Sequence, residues 1–330
     1  MLIVRHREVA EALDGKAAEL TDLAEDVYRA HDQGRSSVPH SVFLRFPGDT
    51  ANRIIALPAY LDGKERVAGI KWVASFPGNI DRGLQRASAT IILNSPATGY
   101  PEALIEASLI SAKRTAASAA LAAKVLAGAP DGITLIGCGV INSEILRFTT
   151  TVLPSIARVT LFDRDRERAA EFARRASAYL GSVPVTVEAD RDAAMATNDL
   201  ISIATTAASP HMSLDACQTG STVLHISLRD LTPQAILTSR NVVDDADHVC
   251  RERTSLHLAE QLTGDRAFID ASIGALLAGR VTLRRDPAQT VVFSPFGLGI
   301  LDVAVAQLVF AEVSGRGAGL RVPDFLPRTT

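Results

Sequence analysis

The sequence predicts an α/β protein: a Rossmann-type doubly wound parallel sheet joined to a second, mixed α/β domain. Three observations predict it. From Ile133 onward, short branched apolar runs alternate with segments of helical patterning. The first of these runs opens into Gly137-Cys138-Gly139, a glycine turn of the kind that joins a strand to a helix. The first 115 or so residues keep a different rhythm, with strand-like runs following one another between turn signals.

Taken in order, Glu8 to Tyr28 has helical spacing, with Val9, Leu13, Leu20, Leu23 and Val27 available for one face. Val42–Phe46 and Arg53–Leu57 read as strands divided by a turn at Pro47-Gly48-Asp49. Gly69–Ser75 is a third strand, stopped by Pro77-Gly78, and Ala89–Asn94 a fourth. A turn at Thr98-Gly99-Tyr100-Pro101 precedes a strand over Glu102–Glu106 and a long helix from about Ser111 to Ala127. Then come Ile133–Ile136, Arg158–Phe162, Val183–Val187, Asp199–Ala204 and Ser221–Ile226, short runs that read as strands buried on both faces. Thr290–Gly297 leads into a last helix, Leu298–Val313, expected to pack on the first domain. The expected domains are 1–115, completed by 300–330, and 116–299.

Composition narrows the function. The chain has 330 residues, 47% of them hydrophobic and 22% charged, which suits a two-domain globular protein. Lys+Arg 34 against Asp+Glu 37 leaves a formal charge of -3, no footprint for nucleic acid or an anionic membrane. Cys138, Cys217 and Cys250 are widely spaced and odd in number, so neither a disulfide framework nor a metal motif is expected. The start mixes Arg5, His6, Arg7 and Glu8 into its apolar residues, unlike a signal peptide. A cytoplasmic enzyme or small-ligand binding protein is the expectation.

Ile133-Thr-Leu-Ile-Gly137-Cys-Gly139-Val140-Ile141-Asn142 is a strand entering Gly-x-Gly-x-x-Asn and then a helix. Gly137 permits the turn, Gly139 lets a pyrophosphate approach, and the amides of Val140, Ile141 and Asn142 with the helix dipole attract its charge. Asn142 departs from the usual Gly or Ala. Asp163 ends the next strand, where an acid accepts from the adenosine ribose hydroxyls and disfavours a 2′-phosphate, so NAD is the expected cofactor.

Elsewhere, Lys71 lies in the apolar strand Gly69-Ile-Lys-Trp-Val, on the face opposite Ile70 and Trp72. It is either a solvent-facing residue or a site lysine. Arg114, in Ser111-Ala-Lys-Arg-Thr-Ala-Ala, is either a structural ion pair or a carboxylate clamp. Arg86 is a further cation. Asp230 follows the strand that ends near Ile226, at the edge where open α/β sheets bind ligands; it is either a proton-handling acid or a turn residue or helix N-cap ahead of Pro233. His225 reads as a satisfied core residue and Cys138 as a small loop residue.

These segments resemble the ornithine cyclodeaminase/μ-crystallin family over nearly the whole chain. Gly69-Ile-Lys-Trp-Val, Phe76-Pro77, Thr98-Gly-Tyr-Pro101, Arg114-Thr-Ala-Ala117, the Gly137 loop and Asp230 occur in the family's order. Pro39-His-Ser-Val-Phe-Leu-Arg, Ala56-Leu-Pro-Ala-Tyr60, Leu84-Gln-Arg-Ala-Ser-Ala and Phe293-Ser-Pro-Phe-Gly-Leu-Gly look like its branch of 2,3-diaminopropionate biosynthesis dehydrogenases. The resemblance implies NAD-dependent oxidative hydrolysis of N-(2-amino-2-carboxyethyl)-L-glutamate to 2-oxoglutarate and L-2,3-diaminopropionate. That product would serve siderophore or peptide natural-product synthesis, with a pyridoxal-phosphate-dependent synthase as pathway partner. It also implies a substrate-binding, homodimer-forming first domain. Lys71 and Asp230 would be catalytic, and Lys71, Arg86, Arg114 and His40 would bind substrate. The cofactor contacts would be Arg114, Thr115, Gly137, Gly139, Val140, Ile141, Asn142, Asp163 and Thr205. His40 stands where the cyclodeaminases carry arginine and Arg86 where they carry threonine; the added cation suits a substrate with three carboxylates. A cyclodeaminase, a ketimine reductase and a non-catalytic nucleotide-binding protein are the alternatives.

Overall fold

The computed structural model describes residues 1–284 and 286–327. Residues 285 and 328–330, which fall inside the two expected domains, lie outside the described residues. The chain divides into two units, Met1–Arg114 with the segment from Leu298 onward, and Thr115–Gly297.

The first unit opens with β1 (Leu2–Val4), α1 (His6–Leu13) and α2 (Ala17–Asp32). The single helix expected over Glu8–Tyr28 is two, because Gly15 takes φ +67°, a left-handed conformation that ends a right-handed helix. Next come β2 (Ser36–Ser37), β3 (Val42–Phe46), β4 (Asp49–Asp62) and β5 (Arg66–Ser75). A 3-10 turn over Pro77–Arg82 leads to β6 (Ala87–Asn94), β7 (Pro101–Glu106) and α3 (Ser108–Leu126). β4 runs well past the expected Arg53–Leu57. Pro58 falls between the stretch paired with β3, which reaches Ala56, and the stretch paired with β2, which starts at Tyr60. On that side its missing amide therefore breaks no ladder bond.

The second unit contains β8 (Gly132–Ile136), α4 (Val140–Val152), β9 (Arg158–Phe162), α5 (Arg166–Leu180), β10 (Val185–Val187) and α6 (Arg191–Met195). β11 (Leu200–Ile203), β12 (Thr222–His225), α7 (Pro233–Leu237) and β13 (Arg240–Val243) follow. α8 (Ala246–Val249), α9 (Ser255–Thr263), β14 (Ile269–Ser272), α10 (Ile273–Leu277) and β15 (Val291–Ser294) complete it. Among the described residues its eight strands form one parallel sheet, ordered β10-β9-β8-β11-β12-β15-β13-β14. The doubly wound fold read from the alternation is borne out. From the β8/β11 pair the chain winds outward in both directions, which opens a crevice at the carboxyl ends of those two strands.

The sequence reading passed over β13 and β14 because their polar residues hide the strand pattern. Asn241 is buried but donates to the carbonyls of Ile236, Ser239 and Phe268, and Asp270 accepts from Arg240 and the Asn241 amide.

The chain then returns to the first unit as α11 (Gly299–Gly315) and β16 (Leu320–Arg321). Among the described residues the first sheet runs β16-β1-β7-β6-β5-β4-β2, with β3 also paired to β4. α11 packs on β4, β5 and β6. The approach is close: a Cβ on Gly299 would lie 3.2 Å from the Leu57 carbonyl, and one on Gly69 would lie 2.4 Å from the Ile92 carbonyl and 3.3 Å from Val303. Ile300, Leu301, Val303, Val305 and Ala306 are buried in this layer, and so is one carboxylate, Asp302.

Candidate active-site groups

In β5, Lys71 lies opposite Leu57 of β4 and Ile91 of β6, both buried. Alternation turns Trp72 to the other face, where it is exposed, and Lys71 is 2% exposed. The solvent-facing reading of Lys71 is thus corrected: α11 covers its face. Its Nζ donates to Asp302 Oδ2 at 2.7 Å and to Ser111 Oγ at 3.4 Å, and Arg114 Nε donates to Asp302 Oδ1 at 3.0 Å. One fully buried carboxylate therefore bridges two cations. Burial pushes the Lys71 ammonium down to about 8, with Asp302 opposing the shift and Arg114 adding to it. Sequence reasoning missed Asp302. Its signal was available, as the one acid within Gly299-Ile-Leu-Asp-Val-Ala-Val-Ala, since a charge on an otherwise apolar helix needs a partner.

His40 lies in the loop between β2 and β3 and is exposed. Arg86 sits just before β6 and is half-buried; burial and the neighbouring Arg53 lower its pKa. Neither hydrogen-bonds Asp302, whereas Lys71 and Arg114 both do.

In the second unit β8 ends in the glycine loop. Gly137 has φ +93°, and a Cβ there would meet the Ala204 carbonyl at 2.5 Å, so only glycine fits the turn. Gly139 precedes α4, and nothing lies within 4 Å of where its Cβ would be, so a ligand can come up to the backbone. Val140, Ile141 and Asn142 are the first residues of α4, whose amides have no intrahelical acceptor. The Asn142 side chain turns inward: Nδ2 donates to the Ile136 and Gly137 carbonyls at 3.0 and 2.7 Å, and Oδ1 accepts from Ser202 Oγ at 2.7 Å. An amide in the usual glycine position thus fastens the loop to β8 and β11. Asp163 accepts from the Cys138 and Asp165 amides at 2.8 and 2.9 Å, which ties the loop to the end of β9 while leaving each oxygen a second lone pair. Burial first, then Asp163, pushes the Cys138 thiol up to about 12, so it is inert. This cradle fits a dinucleotide pyrophosphate.

Asp230 lies beyond the end of β12 and is fully buried. The helix that follows is capped by Thr232, whose side chain accepts from Ala235, so the capping role considered for Asp230 is overturned. Thr205 Oγ1 donates to one of its oxygens and Ser227 Oγ to the other. Thr205 also accepts from the Ala207 amide at 3.0 Å, so its hydroxyl serves to orient Asp230. Between Ser227 and Asp230, Leu228 is held at φ +66°, a strained value for a side-chain-bearing residue. The Asp230 amide donates to His225 Nε2 at 3.4 Å, which assigns the imidazole proton to Nδ1, facing Ser294 Oγ at 3.2 Å. Burial pushes His225 down to about 4 against the pull of Asp230, so it is a neutral core residue.

Among the described residues no group of three or more His, Cys, Asp or Glu side chains is placed to hold a metal, and no helix is long and apolar enough to cross a membrane.

The chain is 29% identical over 327 residues to the N-((2S)-2-amino-2-carboxyethyl)-L-glutamate dehydrogenase of Staphylococcus aureus, covering 97% of both chains. The structure of Thermococcus litoralis Δ1-pyrroline-2-carboxylate reductase, in complex with NADH and L-proline, superposes with a TM-score of 0.91 at 26% identity, covering 98% of this chain and 100% of that one. An archaeal alanine dehydrogenase dimer with bound NAD gives 0.88 at 27% identity, covering 98% and 99%. The model of the ornithine cyclodeaminase/mu-crystallin family matches residues 2–317, and the chain belongs to that family.

Proposed function

We propose that the protein is an NAD-dependent oxidoreductase. Its reaction is the oxidative hydrolysis of N-(2-amino-2-carboxyethyl)-L-glutamate to 2-oxoglutarate and L-2,3-diaminopropionate. The observation that carries this reading is the buried Lys71–Asp302–Arg114 cluster, two cations on one carboxylate, in a chain that also has a pyrophosphate cradle and a buried acid. The S. aureus relative bears the name of this activity, and Arg86 adds a cation suited to a substrate with three carboxylates.

The loop at Gly137–Asn142 and Asp163 would hold NAD, which supplies a hydride acceptor when bound. Arg114 and Lys71 bind the α-carboxylate of the glutamate moiety and so orient its Cα–H. Lys71, whose lowered pKa of about 8 makes the neutral amine accessible, accepts the proton of the secondary amine in that form, while Arg114 keeps its charge on the carboxylate. Asp230, held by Thr205 and Ser227, takes a proton from the water that adds to the substrate imine and returns it to the nitrogen as the C–N bond of the carbinolamine breaks, which releases 2-oxoglutarate and diaminopropionate. A pyridoxal-phosphate-dependent synthase would supply this substrate, and siderophore or peptide assembly would consume the diaminopropionate. The free thiols of Cys138, Cys217 and Cys250 fit a cytoplasmic setting.

With NAD and the synthetic substrate, absorbance at 340 nm should rise, with 2-oxoglutarate and diaminopropionate found by mass spectrometry. No NADH here, with proline formed from ornithine in a parallel tube, would move the protein to the cyclodeaminases.

We also propose a homodimer through the first unit. Val42, Leu44, Ile54, Ala56, Ile70, Trp72 and Ile92 share the sheet face opposite Lys71. Val42 and Trp72 are 65% and 43% exposed in the single chain, an apolar patch of the kind that marks an interface. Light scattering should find a dimer for the wild type and a monomer for the Leu44→Lys, Trp72→Lys double variant. A monomeric wild type would sink the proposal.

A further inference from the structure

His225 takes no part in the steps above, yet it lies against Asp230. β12 and β15 run side by side and parallel, with Leu224 paired to Phe293, so the next residue of each, His225 and Ser294, stand abreast at the carboxyl ends of the strands. Both are fully buried, and the strand neighbour of His225 on its other side is the apolar Ile203 of β11.

The two ring nitrogens have different partners, and these fix the state of the imidazole. Nε2 accepts from the Asp230 backbone amide at 3.4 Å, and Nδ1 faces Ser294 Oγ at 3.2 Å. A nitrogen that accepts from an N–H carries no proton itself, so the proton is on Nδ1 and Ser294 is its acceptor. Asp230 Oδ2, the oxygen to which Ser227 donates, stands 3.8 Å from Nε2. With no hydrogen on Nε2, the ring gives that carboxylate nothing and leaves its lone pairs for water. Burial, with Arg229 adding to it, keeps the ring neutral against the pull of Asp230. The other tautomer would set two N–H groups head to head at the Asp230 amide.

The turn that carries Asp230 needs holding. Leu228 is at φ +66°, a conformation that persists only where its surroundings over-determine it. The Leu228 carbonyl accepts from the Ser255 amide at 2.7 Å, and the Asp230 carbonyl accepts from the His211 and Met212 amides at 2.8 and 2.9 Å. His225 takes the remaining backbone group, the Asp230 amide.

We propose that His225 is a positioning residue for Asp230. Held by Ser294 with its proton on Nδ1, it anchors the Asp230 backbone while leaving the carboxylate free to take a proton from water. It rests on the reading of Asp230 as the group that handles that water.

Two measurements on the full-length protein test this. Nitrogen-15 NMR of labelled histidine should show His225 with Nδ1 protonated and Nε2 bare from about pH 5 to about pH 8. A proton on Nε2 overturns the proposal, and this measurement needs no substrate. In the 340 nm assay, His225→Leu should lower kcat about 10- to 100-fold while KM and NADH affinity stay within about twofold. His225→Gln, whose amide oxygen can accept where Nε2 does, should return to within about threefold of wild type. Placed in Asp230→Asn, His225→Leu should cost less than about twofold, because the residue it acts through is already disabled. A merely structural His225 would cost the same factor in both backgrounds. That additivity overturns the proposal, and so does wild-type turnover in His225→Leu. If the Leu variant does not fold, Ser294→Ala, which frees the tautomer, takes its place in the same cycle with an expected loss of about tenfold. Wild-type turnover in Asp230→Asn alone would instead remove the reading of Asp230, and the role of His225 with it.

Discussion

Asp302→Ala is expected to lower the unfolding free energy of the first unit by about 3–5 kcal/mol at pH 7, because it strands buried cations rather than deleting a neutral contact. Asp302 is the carboxylate that Lys71 and Arg114 share, at 2.7 and 3.0 Å, and Lys71 is nearly inaccessible to water. Lys71 already stands at about 8 because of its burial, and Asp302 is the group that holds it up. Without it the lysine sheds its proton at lower pH. For a base with a depressed folded-state pKa, the unfolded chain binds the extra proton between the folded and unfolded values. Stability through Lys71 therefore rises with pH across that window. In the wild type the rise runs from about pH 8 toward the ordinary lysine value; in Asp302→Ala it begins lower. The deficit should thus be largest near pH 6 and narrow as the pH is raised. Urea titrations of both proteins from pH 6 to 9 measure this. Equal stability at pH 7, or a deficit that does not change with pH, would show that Asp302 does not carry the buried charge balance.

The same cluster shows where sequence reasoning stops. Strand alternation sets Lys71 opposite Trp72, but which face is covered depends on α11, and Asp302 reaches Lys71 across 231 residues of chain and Arg114 across 188. No local pattern encodes such a contact, although the isolated acid in an apolar helix marked a position in need of partners. The second unit was far more legible, since β8, the glycine loop and α4 are consecutive and each is specified by its own residues. The exceptions there are β13 and β14, where the backbone and side-chain amides of Asn241 donate to Asp270 and Phe268, 29 and 27 residues away. The break between α1 and α2 rests on one glycine whose positive φ could be suspected from sequence but not asserted. For Asp230, position at a strand's end was readable. Its dependence on Thr205 and Ser227, and the transfer of the capping role to Thr232, were not.

Asp230→Asn should reduce turnover by roughly 10²–10⁴-fold while leaving NADH binding intact, since proton transfer by a positioned carboxylate contributes about that much. The substitution keeps the side chain's volume: one of the two hydroxyls that donate to Asp230 can go on donating to the amide oxygen while the other rotates to accept from the amide nitrogen. The loop at Leu228 and the amide contact to His225 involve the backbone and need not change. Cofactor binding is assigned to Gly137–Asn142 and Asp163, none of which hydrogen-bonds Asp230. What the variant loses is the ability to take a proton from water, because an amide has no basic oxygen near neutral pH. A purely structural Asp230 makes a different forecast: the stable Asn variant would turn over at the wild-type rate, and a destabilised one would lose cofactor affinity along with activity. Fluorescence titration with NADH beside the 340 nm assay separates these cases. Wild-type-like turnover in a variant that binds NADH normally would remove Asp230 from the reaction and leave Lys71, with its proton affinity set by burial, Asp302 and Arg114, as the candidate that handles water as well as the amine.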